Sequence, residues 1–343
     1  MRSGTWLDQR AASSPTKPAL EVGGRVLSYG ELLDLSRRTA DRLSSLDVGE
    51  GDVIAVLLEN GLGIVTLLHA ADLCGAILLP LNLRLSAPEL RFQLRDSGAK
   101  LLIYAGVNRA ECARDAIRGL SGVRSIDFDS QLEPTRGARA GKEASPTSRF
   151  DLVDARMAQA ILYTSGTTGA PKGATLTRGN FFWSAAASAA LLGVQRSDRW
   201  LVCMPLSHVG GLSILLRSVL YGIPTVVHEN FDAAAVNEAI DERGVTHVSL
   251  VPTMLLRVLE MRGDRPAPTH LRCVLIGGGT APDTLLESAR ELDFPVAPSY
   301  GLTEATSQVA TCPPTSRPAR GTSALRPLPG TELRIAKSDG SAA

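Results

Sequence analysis

A chain of 343 residues has room for about two units of ordinary domain size. With 44% hydrophobic and 21% charged residues it has the composition of a globular protein and not of a disordered tail. Lys and Arg (36) nearly cancel Asp and Glu (35), and a net charge of +1 gives no electrostatic basis for a nucleic-acid or membrane partner.

The opening stretch "MRSGTWLDQRAASSPTKPAL" lacks the apolar core of a secretory signal. Apolar runs elsewhere fall far short of the roughly 20 residues that cross a bilayer, so neither export nor a membrane span is expected. In "SYGELLDLSRRTADRLSSLDVG" Ser28 and Glu31 fit a capping box, Leu32, Leu35, Leu43 and Leu46 follow at helical spacing, and Gly49 is placed to stop the helix. "DVIAVLLEN" then reads as a buried strand, "IVTLLHAADLCGA" as a helix, "ILLPLN" as a strand, "SAPELRFQLRDSG" as a capped helix and "AKLLIYAG" as a strand. This alternation predicts an α/β fold with mostly parallel sheets flanked by helices. Residues 130–148, poor in apolar side chains and rich in Gly, Pro, Ser and charge, are expected to be a solvated surface excursion between two halves.

After the stretch "ILYTSGTTGAPKGATLT" the alternation resumes. Strands are predicted in "RWLVCMPL", "PTVVHEN", "THVSLV", "LRCVLIGGG" and "FPVAPSYG", and helices in "GLSILLRSVLYG", "DAAAVNEAIDERG", "TMLLRVLEM" and "APDTLLESARELD". "GGGTAP" and "SYGLTE" each fall just past the carboxyl end of a predicted strand, where open α/β sheets place their ligands. The tail "RPLPGTELRIAKSDGSAA" begins a β-rich element and stops in a turn, so the chain is expected to end inside a domain. Cys74, Cys112, Cys203, Cys273 and Cys312 are scattered, odd in number and without a C-x-x-C pair, which argues against a disulfide framework or zinc site and fits the cytosol.

In "TSGTTGAPKG", glycine backbone can approach phosphate oxygens closely, hydroxyls add donors and one lysine adds charge. The parts are Thr164, Ser165, Thr167, Thr168, the glycines Gly166, Gly169 and Gly173, and Lys172. A Walker A loop is excluded, because Pro171 precedes Lys172 and Gly173 follows it. "GGGTAP" taken alone is a strand-to-helix turn with Thr280 as N-cap and Pro282 in the first turn. Glu304 taken alone is an exposed helix-start carboxylate. His208 after an apolar strand is either a hydrogen-bonded structural residue or part of a site. Arg217 in an otherwise apolar helix either meets a buried anion or snorkels to the surface.

Thr164 to Gly173 resembles the phosphate-loop signature of the adenylate-forming enzymes, the superfamily of acyl-CoA synthetases, peptide-synthetase adenylation domains and luciferases. "MPLSHVGG" (Met204 to Gly211), "GGGTAP" (Gly277 to Pro282) and "YGLTE" (Tyr300 to Glu304) follow in family order, so the resemblance spans essentially the whole chain. It implies an N-terminal domain of α/β sheets with the start of a small β-barrel. The divisions are 1–155, 156–310 with the nucleotide and acyl sites, and 311–343 for the start of the barrel.

The implied chemistry is attack of a carboxylate on the α-phosphate of ATP, then displacement of AMP by a thiol, with ATP, magnesium and CoA as the small-molecule partners. CoA is preferred to a carrier protein because no carrier-like segment is fused here. By resemblance, Ser165, Thr167 and Lys172 hold the β and γ phosphates, with Gly166, Thr168 and Gly169 completing the loop. Thr303 touches the α-phosphate, and Glu304 with Thr164 serves magnesium. Gly278, Gly279 and Thr280 form the adenine edge, with Ser299, Tyr300 and Gly301 beside the base. His208, Gly210, Gly277 and Leu302 border the acid, and His208 gates it.

"HVGGLSILLRSVLYG" further resembles the synthetases that activate 2-succinylbenzoate, in which an arginine occurs in this helix; Arg217 matches it and needs an anion, which a succinyl carboxylate would supply. Other bulky cyclic or aromatic acids, and a non-catalytic nucleotide- or acyl-binding module, are the alternatives. The family's ribose-binding aspartate, hinge and C-terminal lysine do not occur within the 343 residues, so the mobile C-terminal domain is expected to be missing from this chain.

Overall fold

A computed structural model describes residues 4–132, 153–165, 169–314, 325–337 and 341. In chain order they form α1 (Trp6–Ser13), β1 (Pro18–Val22), β2 (Arg25–Ser28), α2 (Tyr29–Ser45), β3 (Val53–Leu57), α3 (Leu62–Cys74), β4 (Ile77–Pro80), α4 (Ala87–Asp96), β5 (Ala99–Tyr104), α5 (Val107–Ile117), β6 (Arg124–Asp127) and α6 (Phe128–Gln131). Then come β7 (Ala158–Thr164), β8 (Lys172–Thr177), α7 (Arg178–Leu192), β9 (Trp200–Val202), α8 (Val209–Tyr221), β10 (Thr225–Val227), α9 (Ala233–Glu242), β11 (His247–Leu250) and α10 (Pro252–Arg262). The last elements are β12 (Cys273–Ile276), α11 (Asp283–Glu291), β13 (Val296–Leu302), a 3-10 turn (Thr303–Ala305), β14 (Ser307–Thr311) and β15 (Arg326–Pro327). Of the expected surface excursion, Ser130 and Gln131 close α6 and residues 133–148 lie outside the described residues.

Local chemistry sets the helix starts. Ser28 caps α2 through a reciprocal box in which the Glu31 carboxylate accepts from the Ser28 amide at 2.8 Å, and Ser86 with Glu89 does the same for α4. Gly49 is not the stop of α2. The helix ends at Ser45, Leu46 caps it and Asp47 takes a left-handed φ of 63°, while the Gly49 amide donates to Asp52 Oδ2 at 2.8 Å. Nor is Thr280 the N-cap of α11: Pro282 is, and the helix begins at Asp283. The unexpected helices α1 and α7 carry capping boxes of their own, Thr5 with Asp8 and Thr177 with Asn180.

Two sheets result, in the orders β6-β5-β3-β4-β7-β8 and β15-β14-β13-β12-β11-β9-β10-β1-β2. Strands separated by a helix pair in parallel, as a crossover connection requires, among them β3 with β4 and β5, and β12 with β13. Where no helix intervenes the pairing turns antiparallel: β1 with β2 across Gly23 and Gly24 at φ 54° and 73°, β7 with β8, and β13 with β14. The sheets interleave along the chain. β1 joins the nine-stranded sheet by pairing with β10, whereas β7 joins the six-stranded one by pairing with β4.

Alternate side chains of the strands feed different cores. Ile54 and Val56 point to a central layer with α2, α3 and α8, while Val53, Ala55 and Leu57 face α4 and α5. On the other sheet Trp200 and Val202 face the central layer and Leu201 faces α9 and α10. The central layer also seals two arginines: Arg178, whose Nε lies 2.7 Å from Asp72 Oδ1, and Arg217. The β-rich element expected over residues 326–343 is represented among the described residues by β15 and a single bridge at Ala336. Among the described residues no helix is long and apolar enough to cross a membrane.

His69, wholly buried on α3, has its imidazole pushed down from 6.5 to about 4 by burial. Between those values the unfolded chain binds the extra proton, so this contribution to stability is complete above pH 6.5 and is lost as pH falls through about 4. Urea unfolding should therefore show stability falling by up to roughly 3 kcal/mol over that window from this group, with His69→Gln flattening the slope. Identical pH slopes in both proteins would contradict the assignment.

Candidate nucleotide and acid site

The phosphate-loop candidate is the turn of the β7–β8 hairpin. Thr164 pairs with Lys172 and Tyr163 with Gly173, so Thr164 and Lys172 face each other where the strands diverge. The Tyr163 hydroxyl donates to Asp96 Oδ2 at 2.6 Å, which pins the hairpin to α4; burial and the Asp96 carboxylate push that phenol well above its ordinary value. A side chain at position 173 would lie 3.0 Å from Ile161 Cγ2, which accounts for a glycine after the lysine. Ser165 and Lys172 are exposed and Gly169 has a left-handed φ of 94°. Gly166, Thr167 and Thr168 lie outside the described residues.

β8 packs against the 3-10 turn Thr303–Ala305. This contact brings the edge strand of one sheet, which begins at Lys172, to the β13–β14 hairpin of the other, where Thr303 and Glu304 lie. Glu304 sits in that short turn and is exposed, and among the described residues its carboxylate has no hydrogen-bond or ion-pair partner. Thr306 and Ser307, which follow, take φ of 57° and 97°, rare for residues with side chains. Their course explains Gly301: a Cβ there would stand 1.9 Å from the Ser307 carbonyl oxygen, at the bulge between Tyr300 and Gly301.

The "GGGTAP" loop leaves β12 beside β13. Ile276 pairs with Pro298, and the Cβ position of Gly277 is 3.7 Å from the Ser299 carbonyl oxygen. Gly278 has φ 76°, and Gly278, Gly279 and Thr280 are exposed, as are Tyr300 and Leu302 further along β13. Ser299 is tied to Thr311 Oγ1 at 2.7 Å. The loop and the "YGLTE" strand therefore share one edge.

His208 is the N-cap residue of α8 without a side-chain cap bond, and burial, then Arg84, lowers its pKa, so the ring is neutral at pH 7. Gly210 and Gly211 follow in the first turn of α8; a Cβ at Gly211 would meet the Pro205 carbonyl oxygen at 2.6 Å. Arg217, two turns on, does not snorkel. It is 2% exposed, Nη1 donates to Gln308 Oε1 at 2.9 Å, Nη2 to Ser184 Oγ at 3.0 Å, and the guanidinium lies 6.0 Å from the Trp200 ring centroid. Nε has no partner, and among the described residues no carboxylate pairs with this charge.

Ser184, Gln308, Trp200 and Thr306 escape a motif-based reading. The available signal was the Ser184/Ser188 spacing of one helical turn on α7, since Ser188 Oγ also donates to Gln308 Oε1 at 2.7 Å. A cleft of about 490 Å³ is lined by Asn180, Trp183, Ser184, Glu304, Thr306 and Gln308. A second, of about 610 Å³ by Glu59, Arg109 and Asp129, contains none of the sequence-predicted residues.

The family described as AMP-binding enzyme matches residues 7–342. The 2-succinylbenzoate-CoA ligase of Geobacillus kaustophilus is 40% identical over 332 residues, covering 97% of this chain and 65% of the relative. The chain thus spans somewhat less than two thirds of that relative's length. O-succinylbenzoate coenzyme A synthetase (MenE) from Bacillus subtilis, solved in complex with ATP and magnesium ion, superposes with TM-score 0.88 at 37% identity over 98% of this chain and 68% of that one. The same enzyme in complex with the acyl-adenylate intermediate OSB-AMP gives TM-score 0.87 at 37% identity, over 98% of this chain and 66% of the other.

Gly301→Ala should destabilise the chain by roughly 3 kcal/mol through the collision with Ser307. Gly279→Ala, with nothing within 4 Å of the new methyl, should stay within about 0.5 kcal/mol. Thermal unfolding of the two variants side by side checks this, and equal stabilities would refute the bulge argument.

Proposed function

The chain belongs to the AMP-binding enzyme family, and from that premise we propose that it carries the nucleotide and acid sites of an ATP-dependent acid-CoA ligase whose acid is 2-succinylbenzoate. A carboxylate oxygen of the acid attacks the α-phosphorus, the bond to the β-bridging oxygen breaks and pyrophosphate leaves. The CoA thiolate then adds to the acyl carbon and AMP departs. The protein's part in the first half is positioning and charge stabilisation.

Lys172 and the hydroxyls of the hairpin turn hold the β and γ phosphates, and Thr303 meets the α-phosphate. Gly278 to Thr280 and Tyr300 bound the base, and Ser299 and Gly301 shape that edge. His208 offers a neutral ring at the acid's entrance, bordered by Gly210, Gly277 and Leu302. Among the described residues no cluster of three or more His, Cys, Asp or Glu forms a dedicated metal cage. A single free carboxylate at Glu304, with the Thr164 hydroxyl across the hairpin, fits magnesium, which binds through one or two protein oxygens plus substrate phosphates. When bound, magnesium supplies charge neutralisation on the phosphate oxygens.

The observation that carries the substrate reading is Arg217. Its buried charge has hydrogen-bond partners but no counter-ion among the described residues, and a second carboxylate on the acid supplies one. The relatives named for 2-succinylbenzoate support the same choice. Thioester formation belongs to the family's mobile C-terminal domain closing over the thiol. The division into 1–155, 156–310 and a barrel start at 311–343 is kept as part of this reading. The cytoplasm fits five free cysteines.

Lys172→Ala should weaken ATP binding by about 10- to 100-fold while AMP, which lacks the β and γ phosphates, binds nearly as before. Equal losses would refute the loop assignment. For the function itself, exchange of labelled pyrophosphate into ATP should be driven by 2-succinylbenzoate; absence of exchange with every acid of a panel would reduce the protein to a nucleotide-binding module.

A further inference from the structure

One buried hydrogen bond reaches the turn after Glu304, and four more extend it into a chain through Arg217, Gln308 and Thr311. Ser184 Oγ, on α7, donates to the Thr306 carbonyl at 2.7 Å and accepts from Arg217 Nη2 at 3.0 Å. Gln308, immediately past the turn, takes Arg217 Nη1 at 2.9 Å and passes the connection to Thr311 Oγ1 at 3.0 Å. Thr311 in turn meets Ser299 at 2.7 Å, on the strand that leads to Tyr300. Ser184, Thr306, Gln308 and Arg217 are all at most 9% exposed.

The turn needs this support. Thr306 and Ser307 are consecutive left-handed residues with side chains, at φ 57° and 97°, and Thr306 is β-branched. Such a conformation persists only when its surroundings over-determine it. Within the turn, the Thr306 amide already closes it on the Thr303 carbonyl at 2.9 Å, so the Thr306 carbonyl is the atom left for an outside partner. The Ser184 hydroxyl is that partner, and its own orientation is fixed by the Arg217 guanidinium, a donor only.

We propose that Ser184 is a positioning residue that ties Arg217 to the Thr306 carbonyl and so holds Thr303 and Glu304 in register with the phosphates; this rests on the nucleotide reading above. Deleting the hydroxyl leaves a buried guanidinium N–H without an acceptor and a buried carbonyl without a donor. The carbonyl lies at the turn itself and the guanidinium on α8, and neither is part of the adenine edge. Through the same hydroxyl, whatever anion meets Arg217 is coupled to the charge that Glu304 presents.

Binding of MgATP and of adenosine to Ser184→Ala, Ser184→Thr and the unmutated chain tests this. Ser184→Ala should weaken MgATP about tenfold and raise the magnesium requirement, while adenosine binds as before. Ser184→Thr should restore MgATP binding, because it keeps the hydroxyl and its methyl can enter the cleft of about 490 Å³ that Ser184 lines. In a Glu304→Gln background Ser184→Ala should add little further loss, since both changes act through one carboxylate. Unchanged MgATP affinity in Ser184→Ala, parallel loss of adenosine, or full additivity with Glu304→Gln would each overturn the positioning role. Absence of MgATP binding by the unmutated chain would instead overturn the nucleotide reading beneath it.

Discussion

A guanidinium sealed between two sheets, with hydrogen bonds but no carboxylate among the described residues, constrains everything around it. Arg217 keeps its charge at any physiological pH even though burial lowers its pKa, so the layer must be polar where it lies. α7 answers with Ser184, β14 with Gln308 and β9 with the face of Trp200. Arg178 shows the alternative in the same layer. Its Nε meets Asp72 Oδ1 at 2.7 Å and its Nη2 the Asp72 carbonyl at 2.8 Å, a closed pair that locks α7 to α3. One buried arginine is neutralised by the fold. The other has no counter-ion among the described residues, and the proposed acid site at α8 rests on that difference.

The proposed nucleotide end depends on a different constraint, the places where strand follows strand without a helix. Two of the antiparallel pairs, β7 with β8 and β13 with β14, turn at the hairpin of Lys172 and at the turn of Glu304. They come together because β8 is the edge of the six-stranded sheet and packs on the 3-10 turn that joins β13 to β14 in the other. A site that joins the edge of one sheet to a turn in the other needs both sheets held at fixed spacing. The central helices α2, α3 and α8 provide that through one continuous core that runs from Leu7 to Ala297.

Much of this was legible in the residues, for physical reasons. Capping boxes at Ser28 and Ser86 are local and so readable, and the boxes at Thr5 and Thr177 are equally local. The hydroxyl- and glycine-rich loops carry their chemistry in consecutive residues, so their positions past strand ends followed from pattern alone. Antiparallel closure of β1, β8 and β14 did not, because pairing partners are chosen by tertiary packing. Helix ends also escaped: Gly49 and Thr280 are good terminators by type, yet Asp47 and Pro282 take those positions. The surroundings of Arg217 were the least legible, since Ser184 and Gln308 stand 33 and 91 residues away along the chain.

The central claim is that Arg217 awaits a carboxylate, and calorimetric titration of paired acids tests it most directly. The unmutated protein, loaded with AMP, should bind 2-succinylbenzoate at least about tenfold more tightly than a monocarboxylic analogue, and Arg217→Leu should erase that preference. Equal affinity for both acids in the unmutated protein would contradict the account, and would make Arg217 a purely structural cation closed by Gln308 and Ser184.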